Sequence, residues 1–294
     1  MSLIKNKESG NFYPVSIPET DWNCQYLWST HRGCSFDCSY CSSKRLNVSF
    51  GGDPTEIRRL KGEWALFPEK TILHNANNTF LKRNGLPDGK IFINPYCDIF
   101  NLPEDEIHQI FGKIYDSSEY WFDRDAIGHK EKSEFGIILQ TKDPARYFDY
   151  LDLIPEGSWL GTTIECCYSG QEYIDMNFSK APSPDKRIEP MFEIRQNHGN
   201  SFKLFVTIEP IMEFNYKMLN WIDAIQPDII FLGANTSKAS LPEPTKDELQ
   251  ELIYALYDTI GVNKVYLKSN IRRLIPAFYD GWKLAEEQNN DKRE

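Results

Sequence analysis

The sequence predicts an α/β fold, a partial (β/α)6 TIM-like barrel of parallel strands with room for a seventh strand. Two observations lead to this prediction. Short apolar runs alternate with helical stretches from about residue 24 to residue 280, which is the βαβ order of a parallel sheet. The chain also has 294 residues, a length at which α/β barrels commonly form one domain.

Seven apolar runs have the length of buried strands. They are Cys24–Thr30, Ile91–Asn94, Gly136–Thr141, Trp159–Ile164, Lys203–Ile208, Asp228–Gly233 and Lys264–Lys268. The stretches between them predict helices at Pro54–Lys61, Glu104–Asp116, Ala145–Leu151, Lys186–Gln196, Tyr216–Ala224 and Lys246–Thr259. Asp143-Pro144 and Thr245 are residue types that begin helices, which supports two of these starts.

The organisation along the chain follows from these elements. We expect an N-terminal extension over residues 1–21, the barrel over residues 22–280 and a loose tail over residues 281–294. Residues 166–185 are too long for a simple connection, and long loops after strands often carry binding function. This interval is interpreted either as a lid over an active site or as an ordinary surface insertion.

Composition narrows the cellular setting. The seven cysteines are an odd number, which argues against a secreted disulfide framework. The N-terminus lacks an apolar core of signal-peptide length, and no apolar run is long enough to cross a membrane. We therefore expect a cytoplasmic protein without a membrane partner. The net charge of −10 does not favour a long nucleic-acid substrate, since such binders are usually basic.

Three cysteines with the spacing Cys34-x3-Cys38-x2-Cys41 are the strongest chemical signal. Three thiolates in eight residues can hold three corners of a cubane iron–sulfur cluster and leave one iron open for another ligand. A zinc site is the main alternative, with His31 or Cys24 as the fourth ligand. A disulfide pair and ordinary buried thiols are the remaining alternatives.

Polar residues stand at the exits of several predicted strands. Because side chains alternate along a barrel strand, the exit residues Glu165, Glu209 and Asn235 lie opposite the helix-packing residues. The same alternation adds Asn94, Tyr96, Asp98, Gln140, Lys268 and Asn270. Active sites of such barrels lie at these exits. Each residue alone could be a strand cap, but the set predicts a pocket for a zwitterionic, nucleoside-like ligand.

The cysteine spacing, with the aromatic Tyr40 just before the last cysteine, resembles the signature of the radical SAM superfamily. The resemblance implies a [4Fe–4S] cluster on Cys34, Cys38 and Cys41, with S-adenosyl-L-methionine (SAM) chelating the open iron. It implies reductive cleavage of SAM to a 5′-deoxyadenosyl radical that abstracts hydrogen from a substrate. It also implies an electron donor such as flavodoxin or ferredoxin.

The superfamily resemblance further implies roles for the strand-exit residues. The stretch Asn94–Asp98 would hold the methionine amino group, although the common Gly-Gly-Glu is absent there. Thr163 and Glu165 would contact the ribose or carboxylate, and Ile208–Pro210 would approach the adenine, with Glu209 also able to face substrate. The predicted SAM-binding residues are Tyr40, Asn94, Asp98, Gln140, Thr163, Glu165 and Asn235.

A closer resemblance covers most of residues 22–275. The segments that carry it are Trp28–Cys41, Leu139–Pro144, Trp159–Glu165 and Thr207–Pro210. They resemble an uncharacterised radical-SAM-like family common in phages and prophages, which is distantly similar to spore photoproduct lyase, a DNA-lesion repair enzyme. This resemblance implies a nucleobase or nucleotide substrate, and it implies Cys97 or Cys166 as a hydrogen-atom donor.

Two other functions fit parts of the sequence. One is a zinc- or cluster-stabilised binding module without enzyme activity. The other is a metal-dependent hydrolase that uses Glu165 and Glu209 with a histidine. The hydrolase is the less favoured of the two, because none of the five histidines stands at a predicted strand exit.

Overall fold

The computed structural model describes residues 24–28, 30–49, 52–59, 90–94, 96–112 and 136–290. The predicted N-terminal extension, the last four residues of the predicted tail and the final residues of the predicted helix Glu104–Asp116 lie outside these ranges. The strands and helices given below are those of the described residues, which include a parallel sheet and the site at one of its edges.

The sheet has seven parallel strands whose spatial order is their order in the chain. They are β1 Cys24–Trp28, β2 Lys90–Ile93, β3 Gly136–Thr141, β4 Trp159–Thr163, β5 Lys203–Ile208, β6 Ile229–Leu232 and β7 Val265–Leu267. Each neighbouring pair is parallel, and the order runs from β1 to β7 without closing. The predicted partial barrel is therefore confirmed, and the seventh strand is present.

The helices of the described residues lie mostly between these strands. They are α1 Ser42–Ser49, α2 over residues 104–112, α3 Gly170–Asp175, α4 Ile188–His198, α5 Lys217–Ile225, α6 Lys246–Ile260 and α7 Pro276–Asn290. The start predicted for α6 is confirmed by a capping box, in which Thr245 and Glu248 each accept the other's backbone N–H. Among these helices, none combines the length and apolarity that crossing a membrane requires.

The two faces of the sheet carry separate apolar layers. Strands β2–β7 place seven large side chains in the barrel interior, two of them from β6, and these are Phe92, Ile138, Trp159, Phe205, Ile229, Phe231 and Tyr266. Residues of the other parity, such as Leu160, Leu204 and Ile230, pack in the larger core on the helix side. Since a Cβ on Gly161 would lie 2.1 Å from the Phe205 ring, the interior is filled by aromatic rings. The space for a ligand is therefore at the rim above them.

Two predicted helices differ from the structure. The prediction Pro54–Lys61 is wrong for the described residues, because Arg58–Arg59 form a short antiparallel pair with His31–Arg32. The predicted helix Ala145–Leu151 is instead a pair of 3₁₀ segments, Pro144–Asp149 and Leu151–Leu153. The helix α7 continues through residue 281, where the sequence predicted the start of a loose tail.

Candidate active site

The three cysteines of the motif lie in a tight loop between β1 and α1. The loop begins at Gly33, whose backbone φ is +85°, and a Cβ there would lie 1.9 Å from the Glu56 carbonyl oxygen. Cys34 N donates to the Pro54 carbonyl at 3.1 Å, so residues near 54–56 support the loop from outside. A glycine at position 33 is therefore required for the chain to turn into the cysteine loop.

The loop forms one wall of a cavity of about 430 Å³ at the carboxyl ends of the strands. Fourteen of the predicted site residues line it, and they are Cys34, Cys38, Tyr40, Cys41, Asn94, Tyr96, Cys97, Asp98, Gln140, Thr163, Glu209, Asn235, Lys268 and Asn270. Phe92 and Tyr266 of the interior layer line it as well. The structure thus brings the motif and the strand exits together in a space large enough for one small-molecule ligand.

The thiols are buried to different extents. Cys38 is buried, whereas Cys34 and Cys41 are partly exposed. Burial raises the pKa of Cys34 to about 12, and burial also raises the pKa of Cys38. Since a thiolate is the metal-binding form, a bound metal would have to displace these protons.

Among the described residues, no three Cys, His, Asp or Glu side chains are grouped as ligands of a single metal ion. A cubane cluster does not require such a group, because each cysteine thiolate binds a different iron atom. The relevant property of the three cysteines is that they line one shared cavity.

Glu165 is the predicted SAM-binding residue that does not line the cavity. It is fully buried at the exit of β4, where Arg187 Nη1 donates to its Oε2 at 2.8 Å. Its Oε1 accepts from the hydroxyls of Tyr40 at 2.5 Å and Tyr173 at 2.9 Å. The structure therefore shows Glu165 holding Tyr40 of the cysteine loop against the barrel. The predicted contact of Glu165 with SAM stays a prediction.

Charge compensation explains how Glu165 remains ionised in the interior. Burial alone would raise the pKa of Glu165, but the charges of Arg187 and Lys142 outweigh it and hold the pKa well below its ordinary value. Arg187 is equally buried and donates further to the carbonyl oxygens of Thr163 and Pro182. This network joins three parts of the chain behind the cysteine loop.

Lys142 is a cavity residue that the sequence analysis missed. Its Nζ lies 3.0 Å from Glu165 Oε1 and 5.2 Å from the centre of the Tyr40 ring. The contact with Glu165 lacks hydrogen-bond geometry, and Lys142 Nζ makes no hydrogen bond within the described residues. Its place directly after β3 was the signal that could have identified it, since a strand exit in a barrel faces the site.

A chain of hydrogen bonds holds Asn94 at the exit of β2. Its Oδ1 accepts from Thr30 N at 2.7 Å and from Thr30 Oγ1 at 2.9 Å. Thr30 Oγ1 also contacts His31 Nδ1 at 2.8 Å, and His31 Nε2 pairs with Glu106. Both ring nitrogens of His31 therefore have protein partners, so His31 does not present the free nitrogen expected of a zinc ligand.

The amide nitrogen of Asn94 is left as a donor for a ligand. Asn94 Nδ2 is buried and has no hydrogen-bond partner among the described residues, while the residue lines the cavity. Its backbone φ of 50° is uncommon outside glycine. A buried amide without a partner is costly, so Asn94 Nδ2 is a candidate donor to a ligand in the cavity.

Asp98 and Gln140 connect neighbouring strand exits. Asp98 accepts hydrogen bonds from Phe100 N at 3.1 Å, Lys142 N at 2.8 Å and Thr141 Oγ1 at 2.9 Å. Burial raises the pKa of Asp98 to about 6, although these donors act against the rise. Gln140 Nε2 donates to Thr163 Oγ1 at 3.1 Å. These contacts fix the exits of β2, β3 and β4 relative to one another.

A second polar group lies at the exits of β5, β6 and β7. Glu209 pairs with Lys268 through Oε2 and accepts from Asn270 Nδ2 through Oε1 at 2.5 Å. Asn270 is held in turn by Ala234, whose N–H donates to Asn270 Oδ1 at 3.1 Å. A Cβ on Gly233 would lie 2.7 Å from Glu209 Oε1. The absence of a side chain at position 233 therefore leaves room for this group.

The interval 166–185 packs against the cysteine loop. Ser39 N donates to the Phe178 carbonyl at 2.8 Å, and Lys180 N donates to the Phe36 carbonyl at 2.7 Å. We call residues 178–180 the strap. Cys166, one of the predicted hydrogen-atom donors, is fully buried in an apolar cluster beneath the strap, whereas Cys97 lines the cavity.

Comparison with solved structures shows that this fold is similar to that of spore photoproduct lyase. A variant of that enzyme with bound AdoMet and dinucleoside spore photoproduct matches with a TM-score of 0.52 and 11% sequence identity, over 87% of this chain and 78% of the other. A complex with dinucleoside spore photoproduct matches with the same TM-score and 12% identity, over the same shares of the two chains. The two proteins share a fold. No protein family and no curated protein sequence matches the chain.

Proposed function

We propose that this protein is a radical SAM enzyme with one [4Fe–4S] cluster bound by Cys34, Cys38 and Cys41. The observation that carries the proposal is that these three thiols share one cavity with the polar strand exits of a parallel barrel. The proposal is also supported by the fold shared with spore photoproduct lyase, a variant of which has been solved with bound AdoMet.

The residues of the cavity fit both groups. Three thiolates bring negative charge, and the Lys142 ammonium beside them opposes the rise that burial causes in the pKa of Cys38. Asn94 Nδ2 and Lys142 Nζ are donors without hydrogen-bond partners in the described structure. They suit the carboxylate and hydroxyl oxygens of a zwitterionic nucleoside such as SAM. We propose that these two residues, together with Tyr40, Asp98, Gln140, Thr163 and Asn235, surround SAM.

The bound cofactors would supply one electron and the 5′-deoxyadenosyl radical that abstracts hydrogen from the substrate. The role of the protein is to hold the cofactors and to shield the radical. Tyr40 and Phe36 cover the cysteine loop on the cavity side, and the Glu165–Arg187 pair fixes Tyr40. This enclosure limits side reactions of a radical with water or protein.

We propose Cys97 as the hydrogen-atom donor to the substrate radical. It lines the cavity, and burial raises its pKa well above the ordinary value. The thiol therefore keeps its hydrogen, and the neutral S–H form is the one that can give up a hydrogen atom. The thiyl radical left on Cys97 would take one electron from a flavodoxin- or ferredoxin-type donor and one proton from solvent.

The test is SAM cleavage by anaerobically reconstituted protein. With dithionite as reductant, we expect 5′-deoxyadenosine and methionine to form in equal amounts. The competing function is a binding module stabilised by zinc or by an inert cluster. Colourless protein with tightly held zinc, or brown protein that forms no 5′-deoxyadenosine, would support that alternative.

We further propose a nucleobase or nucleotide as the substrate. The group formed by Glu209, Lys268 and Asn270 offers hydrogen-bond acceptors beside donors, above the ring of Tyr266. A nucleobase edge presents N–H donors next to carbonyl or ring-nitrogen acceptors, and its face stacks on aromatic side chains. The dinucleoside named in the solved spore photoproduct lyase complex is a ligand of this class.

Replacing Glu209 with glutamine tests the substrate assignment. The variant keeps the size of the side chain but turns one acceptor into a donor and removes the charge that pairs with Lys268. We expect deuterium transfer from a deuterated pyrimidine dinucleotide into 5′-deoxyadenosine to fall about tenfold or more, since one mismatched buried polar group costs at least this much. Substrate-free cleavage of SAM should persist. The readout is mass spectrometry of 5′-deoxyadenosine.

The matched control is Glu213→Gln, because Glu213 follows the same strand but is exposed and bonds to Tyr168. It should transfer deuterium like the wild type. Wild-type transfer by Glu209→Gln, or loss of substrate-free SAM cleavage in that variant, would contradict the assignment of Glu209 to the substrate.

A further inference from the structure

We propose that Ser179 raises the reduction potential of the cluster by donating a hydrogen bond to Cys38 Sγ. The inference rests on the proposed function, because it requires that Cys38 bind iron. Ser179 Oγ lies 3.0 Å from Cys38 Sγ, and the two residues are 141 positions apart in the chain. Ser179 is a positioning residue in this role, since it acts on the cluster through its ligand sulfur.

The strap holds this hydroxyl in place from both sides. The backbone bonds from Ser39 to Phe178 and from Lys180 to Phe36 flank Ser179 directly. Lys180 Nζ also pairs with Asp37 Oδ2 at 3.1 Å on the surface of the loop. The backbone of Ser179 therefore cannot move away from Cys38 without breaking the contacts of its neighbours.

Counting donors gives the direction of the bond. Ser179 Oγ accepts from Ala181 N at 3.1 Å, so its own hydrogen can go to Cys38 Sγ, to the Phe36 carbonyl at 3.2 Å or to the Tyr173 hydroxyl oxygen. A metal-bound cysteine has lost its hydrogen and can only accept. A charged acceptor makes the stronger hydrogen bond, so the hydroxyl turns to the sulfur when Cys38 binds iron.

Burial makes this bond effective. Ser179 and Cys38 are 8% and 7% exposed, and hydrogen bonds and charges act more strongly where water is excluded. One-electron reduction adds negative charge to the cluster, part of which resides on the cysteine sulfurs. Hydrogen bonds to these sulfurs are one of the factors that set the potential of iron–sulfur clusters. Ser179 therefore stabilises the reduced state more than the oxidised state.

The experiment is an EPR-monitored redox titration of reconstituted protein, with iron measured in every sample. At the midpoint potential of the wild type, we expect the ratio of reduced to oxidised cluster in Ser179→Ala to be about tenfold lower than in the wild type. This change corresponds to a midpoint potential lower by about 59 mV for a one-electron couple. Ser179→Thr keeps the hydroxyl and should stay within about twofold of wild type. Because EPR detects only loaded protein, a lower iron content does not hide the shift.

Ser183→Ala is the matched control, because Ser183 is a buried serine of the same interval whose side chain makes no capping bond. It should titrate like the wild type. A loaded Ser179→Ala protein with the wild-type midpoint would overturn the role of Ser179 while leaving the proposed function intact. A wild-type protein that binds no iron would overturn both.

Discussion

Replacing Cys38 with alanine is expected to abolish both iron binding and 5′-deoxyadenosine formation. Cys38 is the central and most buried thiol of the motif, and a cluster held by three cysteines loses a required corner without it. Cys34 and Cys41 hold the other two corners, and the nearby Cys97 and Cys166 lie after β2 and β4 rather than in the cysteine loop. The measurements are iron content, visible absorbance and product formation after anaerobic reconstitution.

Cys167→Ala is the control for this variant. Cys167 is also buried, but its Sγ lies 3.8 Å from the Asn215 carbonyl and outside the cavity. This variant should bind iron and form product like the wild type. Product formation by Cys38→Ala at a rate near that of Cys167→Ala would contradict the assignment of the cluster ligands.

Replacing Glu165 with glutamine is expected to lower the free energy of unfolding by about 3–5 kcal/mol, because it leaves buried positive charge without its partner. Arg187 is fully buried, and Lys142 is 14% exposed, so water cannot replace the carboxylate. Glu165 Oε1 also accepts hydrogen bonds from two tyrosine hydroxyls, and its Oε2 accepts one from Arg187. Urea unfolding of the metal-free protein measures the loss directly.

A double variant separates the charge from the shape of this site. Adding Arg187→Met to Glu165→Gln removes one uncompensated charge, so the double variant should be more stable than Glu165→Gln alone. Arg272→Met is the control, because its partner Asp280 and Arg272 itself are exposed, and its unfolding midpoint should hardly move. A Glu165→Gln protein as stable as the wild type would show that the network does not hold the fold together.

The sheet could be predicted because the information lies within short stretches of sequence. Each strand is a compact apolar run, and the structure shows the alternation expected of a barrel strand, with Phe205 and Phe231 in the interior and Leu204 and Ile230 on the helix side. The helices were harder where a proline and charged residues imitate a helix start. Near Pro54, pairing of Arg58–Arg59 with His31–Arg32 is a tertiary contact that no local pattern reveals.

The site was predicted where position along a strand determines it. Asn94 and Glu209 directly follow strands, Thr163 ends β4, and Asn235 lies three residues beyond β6, and all four line the cavity. Glu165 also lies beyond the end of β4, but its carboxylate pairs with the buried Arg187 instead.

Arg187 and Ser179 could not be found from the sequence. Ser179 belongs to the interval 166–185, whose composition is that of an ordinary surface loop, and Arg187 was placed in the predicted helix Lys186–Gln196 with no sign of a buried partner. Their partners, Glu165 and Cys38, are recognised only when the chain is folded, because the contacts span 22 and 141 residues. Such residues are identified by their contacts in the folded protein and not by a sequence pattern.

The central claim is that three thiols hold a cluster with one iron open to SAM. The most direct test is EPR of the reduced, anaerobically reconstituted wild type before and after SAM is added, with the iron content measured in the same sample. We expect about four irons per chain and a change in the signal on addition of SAM, since SAM becomes a ligand. A signal that SAM leaves unchanged, or a protein that takes up zinc and no cluster, would contradict the account.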